Sequence, residues 1–175
     1  MTSTKFRTGL IAAVIAIMSL GFIAPASAAP KGEKLVFLTE FVSEETTLNT
    51  LPGGYTYGWN YLTSGTKVAG KPGKVQFLGV VNYKDGSGPF GGFVTVTLDN
   101  GSVLGLAVDG QGLSLSSGSG TADARFGGSI KVISGTGDFK GAKGMGTMTG
   151  SRASDLGSPV AMKFNLTLKK LTLKK

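Results

Sequence analysis

Tyr55, Tyr57, Trp59 and Tyr61 occupy every second position of GYTYGWNYLT, residues 54–63. In a regular strand all four side chains point to one side of a sheet. Aromatic rings with polar tips suit a ligand cavity that is mostly apolar with a few hydrogen-bond donors, and these four are the candidate substrate-binding residues. The same side chains also suit barrel core or a subunit interface. Much other chemistry is closed to this chain, which has no histidine and no cysteine. That removes Ser-His-Asp and Cys-His catalysis, imidazole or thiolate metal ligation, a histidine pH switch and any disulfide framework. No metal site is expected. What remains are ten carboxylates, four tyrosines, lysines, arginines and hydroxyls.

A second stretch invites a chemical reading. ISGTGDFKGAKGMGTMTG, residues 133–150, is glycine-rich and carries two lysines, as a phosphate-cradling loop does. Gly135-Thr136-Gly137 opens like a dinucleotide fingerprint, but the next glycine is misplaced and no helical pattern follows. A Walker loop needs Gly-Lys-Ser/Thr, whereas Lys143 lies between Ala142 and Gly144. With both phosphate readings gone, the stretch describes two strands and a corner. One strand ends at Ile133, Gly135 and Gly137 turn the chain, Phe139 anchors it, Gly141 makes a second corner, and a new strand starts at Gly144.

The elements that must position these residues are strands. Lys5 and Arg7, the apolar run from Leu10 to about Ala24, and Ala26-Ser27-Ala28 spell a secretory signal peptide over residues 1–28, with cleavage before Ala29. The expected product is one domain, 29–175, secreted or periplasmic, without a transmembrane segment once the leader is gone. Removing Lys5 and Arg7 leaves sixteen basic and ten acidic side chains, a net charge of +6. The cations are spread along the chain apart from Lys169, Lys170, Lys174 and Lys175, so nucleic acid is not an expected partner. Period-two apolar runs lie near residues 34–43, 54–63, 73–83, 90–98, 102–109, 122–134, 143–151 and 159–170. Asp85-Gly86, Asn100-Gly101 and Asp109-Gly110 read as tight turns, the middle one as a two-residue hairpin, and residues 114–120 as a long loop or frayed edge. Tight turns make the sheet mainly antiparallel. Seven or eight such strands without a covering helix form a sandwich or a closed barrel, and interior glycines at 58, 79, 105, 127 and 128 favour the barrel.

The pattern Ile133-Ser134-Gly135-Thr136-Gly137-x-Phe139-x-Gly141-Ala142-x-Gly144 resembles the signature turn of allene oxide cyclases and is similar to the Gly-Gly-Thr-Gly-x-Phe turn of dirigent proteins. Met162 to Lys169 fits the closing strand of the cyclases. The resemblance, carried by residues 122–170, implies an all-β fold, a single antiparallel eight-stranded β-barrel with a pocket at one mouth. It also implies a homo-oligomer, a trimer, that uses no cofactor. By the same resemblance, Glu40 in VFLTEFV takes the place of the acid on the first strand and is the candidate catalytic residue. Val42 stands where the cyclases have an asparagine, and their pocket cysteine has no counterpart, which points away from allene oxide cyclisation itself. Facing inward, Glu40 would be a proton donor; facing outward, it is a surface residue beside Glu44 and Glu45. Two functions follow as expectations. One is an exported barrel that binds an apolar small molecule and guides its cyclisation or stereochemistry without a cofactor. The other is a non-enzymatic envelope or extracellular interaction module, with the four aromatics at a subunit interface.

Overall fold

A computed structural model describes residues 32–116, 122–153 and 158–169. The expected leader, most of the 114–120 segment and the last lysines lie outside these residues. Eight strands follow in order: β1 (Glu33–Leu51), β2 (Tyr55–Val68), β3 (Lys71–Lys84), β4 (Gly88–Leu98), β5 (Val103–Ser116), β6 (Ala122–Gly135), β7 (Lys143–Arg152) and β8 (Val160–Lys169). Each pairs antiparallel with the next, and β8 pairs with β1, so the all-β antiparallel eight-stranded barrel expected from the sequence is the fold observed. Among the described residues no helix is long and apolar enough to cross a membrane.

Alternation decides which residues fill the barrel. Leu35, Phe37, Thr39 and Phe41 of β1 and Val160, Met162, Phe164, Leu166 and Leu168 of β8 are buried, while the residues between them face out. Phe37 and Phe164 stack across the β1–β8 seam with ring centroids 4.7 Å apart. From there an aromatic chain runs through Phe41, Phe77, Phe90 and Phe126, each ring 6.0 to 6.5 Å from the next. The last contact is an edge-to-face pair at 90°.

Three features differ from the sequence expectation. The first strand continues through Glu44 and Glu45 to Leu51, because Glu44 forms a bulge opposite β2 rather than a break. Its carboxylate accepts a 2.6 Å hydrogen bond from Thr63 Oγ1. The extra residue reverses the alternation, so Thr46 and Leu48 face inward beyond it. The β4–β5 turn has three residues, with Gly101 at φ 80° donating to the Leu98 carbonyl and Ser102 paired with Leu98, rather than two. Asp109-Gly110 is not a turn at all: it lies mid-strand in β5, paired with Gly91 and Phe90 on one side and with Ser129 and Gly128 on the other. Gly110 lacks a side chain because the Phe90 ring occupies that space.

The glycine-rich stretch closes one end of the barrel. After Gly135, at the end of β6, a 3₁₀ turn over Gly137–Phe139 drops the Phe139 ring into the barrel, where it is fully buried. Gly137 has φ 55°, and a Cβ there would collide with Ser102; Gly135 packs its α-carbon against the Phe139 carbonyl. Gly141 ends the corner and Gly144 begins β7 against β8. Asp138 ties the turn to two others. Its carboxylate accepts from Lys71 Nζ at 2.8 Å and Asn100 Nδ2 at 2.9 Å, while its N–H donates to Ser102 Oγ at 3.0 Å. The β2–β3, β4–β5 and β6–β7 turns are thus joined at one rim.

Two outcomes follow. Phe139→Ala should cost about 3–5 kcal/mol of unfolding free energy in a urea titration, the range for emptying a fully buried aromatic site; a cost below about 1 kcal/mol would mean that the ring is not a plug. The Lys71 hydrogen bond, then that from Asn100, holds the Asp138 carboxyl below its ordinary value, against an opposing desolvation. A carboxyl more acidic in the folded than in the unfolded chain stabilises the fold above its unfolded pKa, and loses that effect as pH falls toward the folded value. Asp138→Asn should therefore lower the melting temperature at pH 7, and the gap from the native chain should close as pH falls below the ordinary carboxyl value of 3.8.

Candidate functional site

A cavity of about 170 Å³ lies inside the barrel toward the end opposite the Phe139 plug. Its apolar wall is made by Leu62, Phe77, Phe90, Phe126, Val160 and Met162. Space exists there because the inward positions of the surrounding strands include small residues. Gly79 follows Phe77 on the inner face of β3, and Ala124 precedes Phe126 on that of β6. At the closed end, by contrast, Val68, Val75, Leu98, Leu104 and Leu168 fill the interior.

The polar groups of the cavity sit toward its mouth. Asn60 is committed within the protein: its amide nitrogen donates to Ser43 Oγ at 3.1 Å, and its oxygen accepts from Thr46 Oγ1 at 2.9 Å. Tyr83 leans over Gly112, where a Cβ would stand 2.8 Å from the phenol oxygen. Arg152, at the end of β7, shares the inner face with Met148 and is paired with Ala124 and Val160. Its Nε is buried, and it is the one charged side chain among the described residues lining the cavity. Burial pushes the Tyr83 phenol up to about 12, and the nearby Arg152 charge pulls in the other direction. At neutral pH the mouth therefore presents a phenolic O–H, which is a donor and an acceptor, and a permanently charged guanidinium fork. Among the described residues no group of three His, Cys, Asp or Glu side chains could hold a metal ion.

The sequence candidates lie elsewhere. Tyr55, Tyr57, Trp59 and Tyr61 do share one face, but it is the outer one, with Tyr55 48% and Tyr57 46% exposed. The two-residue Ala69-Gly70 turn fixes the β2–β3 register at Val68↔Lys71, and Val68 is fully buried. Every even position of β2 then faces in, so Thr56, Asn60 and Leu62 take the inner wall. Outside, Lys84 Nζ sits 4.8 Å above the Tyr55 ring, Gln76 donates to the Tyr61 hydroxyl, and Tyr57, Trp59 and Val80 line a shallow groove. Glu40 also faces out, paired with Ala161 of β8 between Leu38 and Val42, because Thr39 and Phe41 take the inward positions. It borders an open outer groove with Arg125 and Lys163 and does not reach the cavity. Gly135, Gly137, Phe139, Gly141 and Gly144 lie at the closed end, and none of them lines the cavity. Tyr83 and Arg152 escaped the sequence reading. The inward Val75 and Phe77 give the parity that points to Tyr83, and Met148 does the same for Arg152.

Fold and cavity together define a small closed barrel, plugged at one end and holding an apolar chamber with a cationic mouth at the other. No protein-family model matches the chain, and no curated protein sequence does. Among solved structures, a conserved protein of unknown function from Rhodopseudomonas palustris superposes with a TM-score of 0.50 at 12% identity, covering 81% of this chain and 100% of the other. A pterocarpan synthase dirigent protein gives a TM-score of 0.44 at 14% identity, covering 84% and 91%. The likeness to the Rhodopseudomonas palustris protein is one of fold alone.

A phenol whose pKa is raised on folding contributes stability that is complete below its unfolded value and is lost as pH rises through the folded one. For Tyr83 that window runs from 10.0 to about 12. The phenolate absorbance titration of the native protein minus that of Tyr83→Phe should show a single component with its midpoint near 12. A midpoint at the ordinary value of 10.0 would place the phenol in water.

Proposed function

We propose that the protein is exported, loses residues 1–28, and binds an apolar small molecule inside the barrel, guiding its cyclisation or stereochemistry without a cofactor. The observation that carries this reading is the interior cavity of about 170 Å³, walled by phenylalanines and floored by the plugged core. An apolar cavity of roughly 150 Å³ holds a benzene molecule, so the ligand, or the part of it that enters, is about one ring in size. Chemistry in such a chamber is positioning plus a few fixed dipoles. Tyr83 and Arg152 stand where negative charge developing on a substrate oxygen would be met by an O–H and a guanidinium.

A second reading has its own observation. Outward-facing Tyr55, Tyr57, Leu78, Val80 and Phe93 lie on the adjacent strands β2, β3 and β4, with Val80 55% and Phe93 59% exposed. An apolar outer sheet of this kind suits assembly of copies, a trimer by the resemblance, or contact with an envelope partner. The two readings are compatible, since one uses the inside of the barrel and the other the outside.

The test is binding of single-ring aromatics to the purified protein, followed by ligand-observed NMR. Ala124→Leu, which fills the cavity from its β6 wall, should abolish the signal while cooperative unfolding is retained. Glu40→Gln and Tyr57→Phe, both on the outer face, should leave it unchanged. Binding that survives Ala124→Leu but is lost with Tyr57→Phe would move the site to the outer groove, and no binding of any ring would end the cavity reading.

A further inference from the structure

The cavity described above is apolar along its depth but not neutral at its mouth. Arg152 brings a full positive charge that no pH accessible to a folded protein removes. No aspartate or glutamate is among the described residues lining the same space. Asn60 engages Thr46 through its amide oxygen and Ser43 through its amide nitrogen. Among the described residues lining the cavity, the charged group a ligand meets is the guanidinium of Arg152, and the hydroxyl of Tyr83 stands near it. Five N–H donors allow a guanidinium to keep protein partners and still receive an anion. Its planar fork matches the two oxygens of a carboxylate better than it matches a single hydroxyl.

Below this mouth the shape is set by rings. Phe77, Phe90 and Phe126 meet edge to face, with Phe90 at the centre, 6.5 Å from Phe77 and 6.0 Å from Phe126. Rings at such angles present both edges and faces to a guest, the arrangement in which another aromatic ring packs well. The volume admits one ring.

Resting on the cavity reading, we propose that the ligand class is a monocyclic aromatic acid, its ring against Phe77, Phe90 and Phe126 and its carboxylate received by Arg152 with Tyr83 beside it. The charge selects among rings that the apolar wall alone treats alike. It also orients the guest, acid outward and ring inward, so that a substituent opposite the acid is driven toward the plugged end.

The test compares benzoate with benzyl alcohol, a neutral ring of similar size, by titration calorimetry of the purified protein at pH 7. Benzoate should bind at least about tenfold more tightly. Arg152→Gln should weaken benzoate by about tenfold or more while leaving benzyl alcohol within about twofold. Benzyl alcohol binding as tightly as benzoate would overturn the acid preference and leave the apolar cavity standing, whereas binding of neither would overturn both. If benzoate is preferred but Arg152→Gln does not change its affinity, the assignment of Arg152 falls. Should Arg152→Gln fail to fold, the native ratio decides the ligand class and Arg152→Lys, which keeps the charge without the fork, decides the residue: benzoate weakened relative to benzyl alcohol supports the assignment, and an unchanged ratio overturns it.

Discussion

Phe37 and Phe164 stack face to face across the seam where the first strand meets the last, and the rest of the molecule depends on that seam. A meander of eight strands has two edges until its ends pair, and edges are costly to leave open. Pairing Glu33–Phe41 with Val160–Leu168 removes both edges and encloses the apolar face of every strand at once. Because side chains alternate, closure also leaves no independent choice of facing. Once Phe37, Phe164 and Val68 are inside, the pairing registers carry the parity from strand to strand around the barrel. The bulge at Glu44 is the point where β1 reverses its alternation, sending Phe41 into the core and Leu48 into the cavity wall.

The two ends of the barrel are built from different physics. At one end a fully buried phenylalanine fills the interior, and one carboxylate gathers three turns through Lys71, Asn100 and Ser102. At the other, glycine and alanine stand where larger residues would complete the packing, and the polar groups include an arginine and a tyrosine. Rigidity at the plug makes the vacancy at the mouth tolerable, since a wall that cannot collapse keeps its cavity.

Much of the fold was legible in the sequence because it rests on local signals. Period-two runs, Gly-containing turns and the absence of a helical pattern give the strands, their antiparallel order and the barrel, and GTGDFKGA gives its corner. Facing was less legible, because it is a property of the closed sheet. Tyr55, Tyr57, Trp59 and Tyr61 were correctly placed on one side of a strand, yet which side depended on the Val68↔Lys71 register across a turn. Glu40 faces out for the same reason, Thr39 and Phe41 having the inward parity. Asp109-Gly110 has the composition of a turn, but there the glycine makes room for Phe90, a contact distant in sequence. Tyr83 and Arg152 close their strands at the mouth, where polar residues look like ordinary strand ends until the barrel is drawn around them.

The segregation of the plug from the mouth has an evolutionary consequence. The three turns bound by Asp138 all lie on one rim, so among the described residues the connections on the opposite rim carry none of that network. Those connections can lengthen, shorten or change composition while the folding information on the far side stays constant. A barrel organised in this way can diversify around its cavity faster than at its foundation, and related chains would be expected to differ most around the ring that frames Tyr83 and Arg152.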